Sequence, residues 1–369
     1  MQVHELAGDR SKVRALVTGG AGFIGSHIVA ALLARGDQVS VLDNLDPRVH
    51  GERVPSFFHK VNFIHGDVLS QASIHEALKD QVDVIFHEAA MVGLGKGAAD
   101  AESYVSTNVI GTVRLMDAIA KQSKRPRFIL ASTMAIYGEG AYKCKVCGKS
   151  RNGRRKHEDL AKHNWEPRCV KCGGELEPLP VTEDQPPNPS SIYAITKLNQ
   201  ELICTSLGRE FDIPVVALRY HNVYGPRMPR DTPYAGVASI FKSQLLAGVP
   251  PTVYEDGRQL RDFIHVEDIV QANLLATDGP EEAFAFEAFN VGTGRPHQIL
   301  DFAVELAKSL APELKPQFPG SFRVGDVRNI FACISKIKRH GFVPRVSFEE
   351  GVSRFAHEPT RGSPKVALT

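Results

Sequence analysis

The sequence predicts an α/β protein: a doubly wound parallel sheet, a smaller C-terminal lobe and a four-cysteine insert. Three observations predict it. Strand-like and helical apolar periods alternate through roughly the first third of the chain. A glycine-spaced turn joins the first strand to the first helix. Near residue 140 the periodicity gives way to a segment with two close cysteine pairs and resumes near residue 190.

Taken in order, β-branched runs fall at 13–18, 38–42, 62–65, 82–87 and 127–132. Helical patterns occupy 24–35 and 71–80, and 98–123 has room for one extended helix. Strands alternating with helices over short connections imply a parallel sheet covered on both faces. A helix is expected at 190–210 and a strand at 215–220. Beyond Gly225 the pattern is less regular, with helices near 237–247, 266–276 and 299–310 and a strand-like 252–254. The expected division is 13–139 for the first domain, 140–180 for the insert, 181–225 for a return to the sheet, 226–358 mainly for the smaller lobe and 359–369 for a polar tail. The lobe should cover the carboxyl ends of the strands, where open α/β sheets bind ligands. No internal repeat is present.

Composition narrows the function classes. Hydrophobic residues at 43% and charged residues at 23% are those of an ordinary globular protein, and a net charge of +2 makes no overall case for a nucleic acid or membrane partner. The first residues have neither the basic start nor the long apolar run of a signal peptide, and no stretch is long enough to span a membrane. A cytoplasmic location is expected. In a reducing compartment four paired cysteines point to a metal rather than disulfides. Cys204 and Cys333 read as small buried hydrophobes.

Gly19, Gly22 and Gly25 lie in TGGAGFIG, after an apolar strand and opening an apolar helix. A pyrophosphate must approach backbone N–H groups at a helix N-terminus, and side chains there would block it. Asp43 ends the second strand, where a carboxylate accepts from ribose hydroxyls and repels a 2′-phosphate, favouring NAD over NADP. Together these are the Rossmann arrangement. Tyr193 and Lys197, in SIYAITK, project from one helical face. A tyrosine near pKa 10 is a poor base at neutral pH, but a neighbouring ammonium and a positive nicotinamide ring favour its phenolate. Such a pair alone is weak evidence, because a core Tyr beside a solvated Lys is common. It gains weight from the upstream dinucleotide turn and from Thr133 at the end of the intervening strand.

The ordered series TGGAGFIG, Asp43-Asn44, GDV at 66–68, HEAA at 87–90, TNVIGT around Asn108, ASTMAIYG, YAITK, RYHNVYGPR and RDFIHVEDI resembles the extended short-chain dehydrogenase/reductase family, in its nucleotide-sugar epimerase and dehydratase branch. The resemblance runs from about Arg14 to about Val352, broken by the insert. It implies NAD as cofactor, held by Gly19, Gly22, Phe23, Ile24, Gly25, Asp43 and Asn44. Asp67 and Val68 would meet the adenine, Ala89, Ala90 and Asn108 the middle of the cofactor, and Tyr193, Lys197 and Tyr220 its nicotinamide end. Thr133, Tyr193 and Lys197 fall on the catalytic triad, with Thr133 also touching substrate. Asn222, Arg261 and Arg323 would hold a sugar diphosphate and Asp326 the nucleoside ribose. A homodimer through the helices at 98–123 and 190–210 is also implied.

Departures from the family pattern matter. Dehydratases carry an Asp-Glu pair after the threonine, where this chain has Met134 and Ala135, so 4-epimerisation fits better than dehydration. Glu88 replaces an apolar residue and His221 a phenylalanine. In the stretches DNLDPRVHG, WEPRC and RYHNVYGPR the chain resembles epimerases of dTDP-linked sugars, and that resemblance implies a dTDP-sugar substrate, with a UDP-hexose second. A non-catalytic NAD-binding regulator is the reading from another class.

Cys144-x-x-Cys147 and Cys169-x-x-Cys172, each followed by Gly, can form two knuckles and complete a tetrahedral four-thiolate site. Structural zinc is expected, with iron the competitor. Because the insert lies between Thr133 and Tyr193, it must emerge beside the active site, as a rim or lid. Its basic residues Lys149, Arg151, Arg154, Arg155 and Lys156 leave nucleic acid binding as the lesser alternative.

Overall fold

The computed structural model describes residues 12–50, 56–92, 98–150, 155–230, 236–323 and 325–360. The readings made of residues 1–11, Arg151, Arg154 and the tail beyond 360 lie outside them. The first domain contributes β1 (Arg14–Thr18), β2 (Gln38–Asp43), β3 (Asn62–His65), β4 (Val84–His87) and β5 (Arg127–Thr133). The insert follows with β6 (Ala141–Cys144), β7 (Gly148–Ser150) and β8 (Leu176–Leu179). Next come β9 (Val215–Tyr220), β10 (Asn222–Tyr224), β11 (Leu260–Arg261), β12 (Phe263–His265) and β13 (Glu287–Val291).

Seven strands form one parallel sheet in the order β13-β9-β5-β4-β1-β2-β3. The chain builds outward from β1 to β3, then crosses back to β4. That reversal leaves a crevice at the carboxyl ends of β1 and β4, where ligands bind in sheets of this kind. Alternate residues of each strand face opposite sides, and both sides are apolar. Leu16, Ile85, Phe128 and Val215 enter one core, while Val17, Phe86, Ile129 and Leu218 enter the other. This two-sided burial is why the strands read as near-continuous apolar runs.

The segment beyond 225 is shared between two units. The Val266–Asp278 helix and β13 return to the main sheet, and Arg127 caps that helix by donating to the carbonyls of Ala276, Thr277 and Gly279. The remainder packs around Tyr224, Phe241, Phe263, Phe302 and Phe355 as a separate core. Residues 252–254 do not form a strand. Thr252 makes an isolated bridge with Gln317, and the preceding Pro250 and Pro251 lack the N–H groups a ladder needs.

The long helix expected at 98–123 forms as one continuous run to Ala120, with a change of type within it. It runs as α-helix over Ala98–Tyr104, as π-helix over Val105–Ile110 and again as α-helix over Gly111–Ala120. The wider turn aims Asn108 inward, and π segments often mark functional positions. The insert is a small antiparallel sheet, β7-β6-β8, beside the short His157–Ala161 helix. Among the described residues no helix is long and apolar enough to cross a membrane.

Candidate active site

The glycine turn follows β1 directly. A Cβ on Gly25 would lie 2.3 Å from the Gly19 carbonyl, and one on Gly19 would lie 2.7 Å from the Ala89 amide. Gly19 also has φ of +70°, so only glycine fits without strain. The Phe23–Ala34 helix opens at Gly22 with no side chain capping it, which leaves its first amides for an anion. Ile24 turns its side chain into the main core, so only its backbone faces the turn. Phe23 packs edge-on against His27.

Asp43 is placed as expected, at the end of β2, and is already engaged. It accepts from the amides of Ala21 (2.9 Å) and Leu45 (2.9 Å), and His50 lies 3.3 Å away. Its carboxylate is therefore oriented toward the turn before any ribose arrives. Asn44 donates to Asp67 at 2.8 Å, joining the two residues expected at the adenosine. Val68 turns its side chain into the core. These features fit a dinucleotide.

At the other end of the crevice the register sets Thr133 of β5 opposite Tyr220 of β9. The helix Ile192–Glu210, capped by Ser191, brings Tyr193 and Lys197 to the same place. The Thr133 side chain acts on the Tyr193 phenol, and Lys197 is buried one turn further along the same helix. The helix is fixed by charge. Glu201 takes a bidentate pair from Arg219 and a short hydrogen bond from Ser132, all buried.

Burial dominates the electrostatics of this pair. Burial pushes the Tyr193 phenol up to about 12, with Glu88 pushing the same way and the Thr133 bond opposing. Burial pulls Lys197 down to about 8, with Glu88 the chief opposing influence. The chain alone therefore keeps Tyr193 protonated, because desolvation outweighs its neighbours. The positive charge that would favour the phenolate has to arrive with a ligand.

Asn108 is also corrected. It is fully buried and its amide is committed to protein, accepting from the Met91 amide and donating to the Met91 carbonyl and Thr196 Oγ1. It ties the loop after β4 to the helix of Tyr193 rather than lining the cofactor. Ala89 and Ala90 lie partly buried in that loop, and Thr18 Oγ1 accepts from the Ala89 amide. Behind them, His87 links Thr18 (2.8 Å) and Thr112 (2.9 Å) and is held neutral by burial, at about 3.

The expected substrate residues lie across the crevice. Asn222 Oδ1 is buried without a protein partner among the described residues. Arg261 is committed more than expected, donating to the carbonyls of Leu260, Val327 and Arg328. It retains its Nε–H and one further N–H. Asp326 is electrostatically coupled to both Arg261 and Arg323, and Arg323 lies over the Tyr254 ring at 5.0 Å. Burial raises the Asp326 carboxyl above its ordinary value.

The four insert cysteines converge, their sulfur atoms all within 4.8 Å of one another. Gly148 and Gly173 take φ of +77° and +70°, the left-handed turn a knuckle needs. The donor set suits a soft, tetrahedral ion. Cys204 is buried as expected, whereas Cys333 is only partly so and bonds Ser335. Arg155 is not part of a solvated basic face. It donates to the Trp165 carbonyl within the insert and to Glu255 and the Asp326 carbonyl across the seam. Beside it, fully buried Arg328 contacts Glu166, Glu255 and Asp256. Trp165 and His157 pack against Phe322, next to Arg323.

Sequence reasoning missed Glu201, Arg219, Arg155, Arg328 and the role of Glu88. Glu88 accepts from Tyr220 Oη at 2.9 Å inside the crevice. Only its departure from the expected apolar residue signalled it.

A dinucleotide turn, a Thr133/Tyr193/Lys197 cluster and a facing lobe with arginines define an enzyme of the extended short-chain dehydrogenase/reductase class. The chain belongs to the NAD dependent epimerase/dehydratase family, whose model matches residues 15–155 and 170–292. It is 35% identical over 344 residues to a dTDP-L-rhamnose 4-epimerase of Burkholderia thailandensis, covering 91% of this chain and 92% of that one. Among solved structures it is similar to a UDP-glucose 4-epimerase of Thermotoga maritima with UDP-glucose (29% identity, TM-score 0.76) and one of Thermus thermophilus with NAD (32%, TM-score 0.72). Each alignment covers 93% of this chain and 97% of the other.

Proposed function

We propose that this protein is an NAD-dependent nucleotide-sugar 4-epimerase that interconverts dTDP-L-rhamnose and dTDP-6-deoxy-L-talose. The observation that carries the reaction class is the placement of Tyr193 against Thr133 at the carboxyl end of β5, with Lys197 buried one turn along the helix of Tyr193. Bound NAD supplies a hydride acceptor that can hand the hydride back. Thr133 holds the substrate hydroxyl, Tyr193 takes its proton as the carbon–hydrogen bond breaks, and the same tyrosine returns a proton once the 4-keto sugar has turned over. The positive ring that bound NAD would bring, together with Lys197 one turn along the helix, would let the phenol give up its own proton. Met134 and Ala135 supply no acid for eliminating water.

The dTDP assignment is supported by the Burkholderia relative. A UDP-hexose 4-epimerase is the second reading, favoured by the Thermotoga and Thermus structures. Incubating purified protein with dTDP-L-rhamnose and separately with UDP-glucose tests the choice. Turnover of the first supports the narrower reading, and turnover of UDP-glucose alone overturns it.

Structural zinc is the proposed occupant of the four-thiolate site, with the insert as a rim of the nucleotide-sugar site. The Arg155 and Arg328 contacts support this, because they tie the insert to the segment carrying Asp326 and Arg328. A homodimer through the two long helices is supported by exposed apolar side chains on them: Val105, Ile110, Ile192, Ile195 and Leu202. Cytoplasmic residence completes the proposal.

A further inference from the structure

We infer that Glu88 sets the charge facing the nicotinamide, so that the cleft favours the oxidised cofactor over the reduced one. The inference rests on the reading of the Tyr193 end of the crevice as the nicotinamide seat. Glu88 is the first residue after β4, and its amide donates to the Thr18 carbonyl at 3.1 Å. A Cβ on Gly19 would sit 2.9 Å from the Glu88 carbonyl carbon, so Glu88 abuts the dinucleotide turn. Its carboxylate is aimed from the far side. Tyr220 Oη donates to it at 2.9 Å and accepts from Asn273 Nδ2 at 2.8 Å, with Asn273 fully buried. This relay from β9 and the Val266–Asp278 helix fixes where the charge points.

The chemistry follows from the charge balance of the reaction. A hydride leaving the carbinol carbon turns a cationic ring into a neutral one, while the hydroxyl proton goes to Tyr193. A carboxylate facing the ring therefore stabilises the oxidised form and does nothing comparable for the reduced form. A 4-epimerase gains from this, because the cofactor rests oxidised between turnovers and the keto sugar recovers its hydride readily.

The groups coupled to Glu88 are Tyr193 and Lys197 from the helix and Tyr220 with Asn273 behind it; His87 precedes it on β4 and bonds Thr18 and Thr112 instead. His87 is held neutral. Burial raises Glu88 to about 7, opposed by the Tyr220 bond and by Lys197, so the carboxyl changes charge near neutrality.

The test is calorimetric titration of the cofactor-stripped protein with NAD+ and with NADH, between about pH 6 and pH 8.5. The readout is the ratio Kd(NADH)/Kd(NAD+). In the wild type this ratio should rise by about tenfold as pH passes through neutrality. Glu88→Gln should lower the ratio by about tenfold at pH 8 and remove the inflection. Tyr220→Phe, which removes a donor to the carboxylate, should move the inflection upward. Lys197→Met should leave it present and also displaced upward; its disappearance would assign the titration to the lysine and overturn the inference. A Glu88→Gln ratio equal to that of the wild type at every pH would do the same while leaving the cofactor reading intact. Failure of the wild type to bind either form would overturn both.

Discussion

Replacing Arg155 by methionine perturbs the seam between the insert and the smaller lobe at one side chain. The methionine keeps most of the length and loses the charge. Arg155 Nη1 contacts the Trp165 carbonyl at 3.2 Å and Glu255 at 2.9 Å, and Nη2 donates to the Asp326 carbonyl at 2.7 Å. The Arg155 and Glu255 side chains are 4% and 2% exposed, so this pair is close to fully desolvated. Breaking a buried pair by removing one partner costs about 3–5 kcal/mol. Here Glu255 keeps Arg328 at 3.0 Å, which reduces the loss to about 2 kcal/mol. That is roughly a thirtyfold shift from docked to undocked insert. Two of the three acceptors lie across the seam, so the effect should be local. Hydrogen exchange of the Trp165, Glu166 and Arg168 amides should speed up by about that factor, while β5 and β9 stay protected. A cycle with Glu255→Gln should return a coupling of about 1–3 kcal/mol. Unchanged exchange in the insert together with a coupling near zero would refute the idea that this pair holds the insert in place.

Three further outcomes follow from the same contacts. Removing the metal with a strong chelator should release one ion per chain and expose the β6–β8 sheet to protease, because four thiolates converge there with little apolar core around them; resistance equal to that of the untreated protein would contradict a metal-dependent insert. Acid should destabilise the protein through His87. Its folded value near 3 lies below the ordinary 6.5, so the unfolded chain binds the extra proton between those values and stability is lost as pH falls through that window. The loss should be about 2 kcal/mol at pH 5 relative to pH 7, read from urea midpoints, and a flat profile over that range would count against it. Finally, Leu202, 61% exposed on the helix of Tyr193, should belong to the dimer seam. Leu202→Glu should yield a monomer in sedimentation, and an unaltered sedimentation coefficient would remove this face from the interface.

The features legible in the sequence share a physical cause. β1 to β5 were readable because both faces of a parallel sheet are buried, which forces short apolar runs between helical periods. The glycine turn was readable because its constraint is local: a Cβ at Gly25 collides with Gly19 a few residues away. The four cysteines were readable for the same reason, as each knuckle spans neighbouring positions. What stayed hidden depends on distant partners. Arg155 sits in a basic run that left nucleic acid binding as an alternative, yet Glu255 and Asp326, 100 and 171 positions away, engage it. Glu88 and Tyr220 meet across 132 positions. The π turn at Val105–Ile110 was hidden for another reason. Over six residues its apolar spacing matches that of an α-helix, and only the inward turn of Asn108 distinguishes it.

The central claim is that one hydride leaves and returns to the same sugar carbon while Tyr193 handles the proton. Supplying dTDP-L-rhamnose deuterated at C4 and examining both epimers by NMR tests it directly. The label should remain wholly at C4 of substrate and product in ordinary water, and Tyr193→Phe should slow its conversion by about 10²–10⁴-fold. Loss of the label to solvent during epimerisation, or a phenylalanine variant as fast as the parent, would contradict the account.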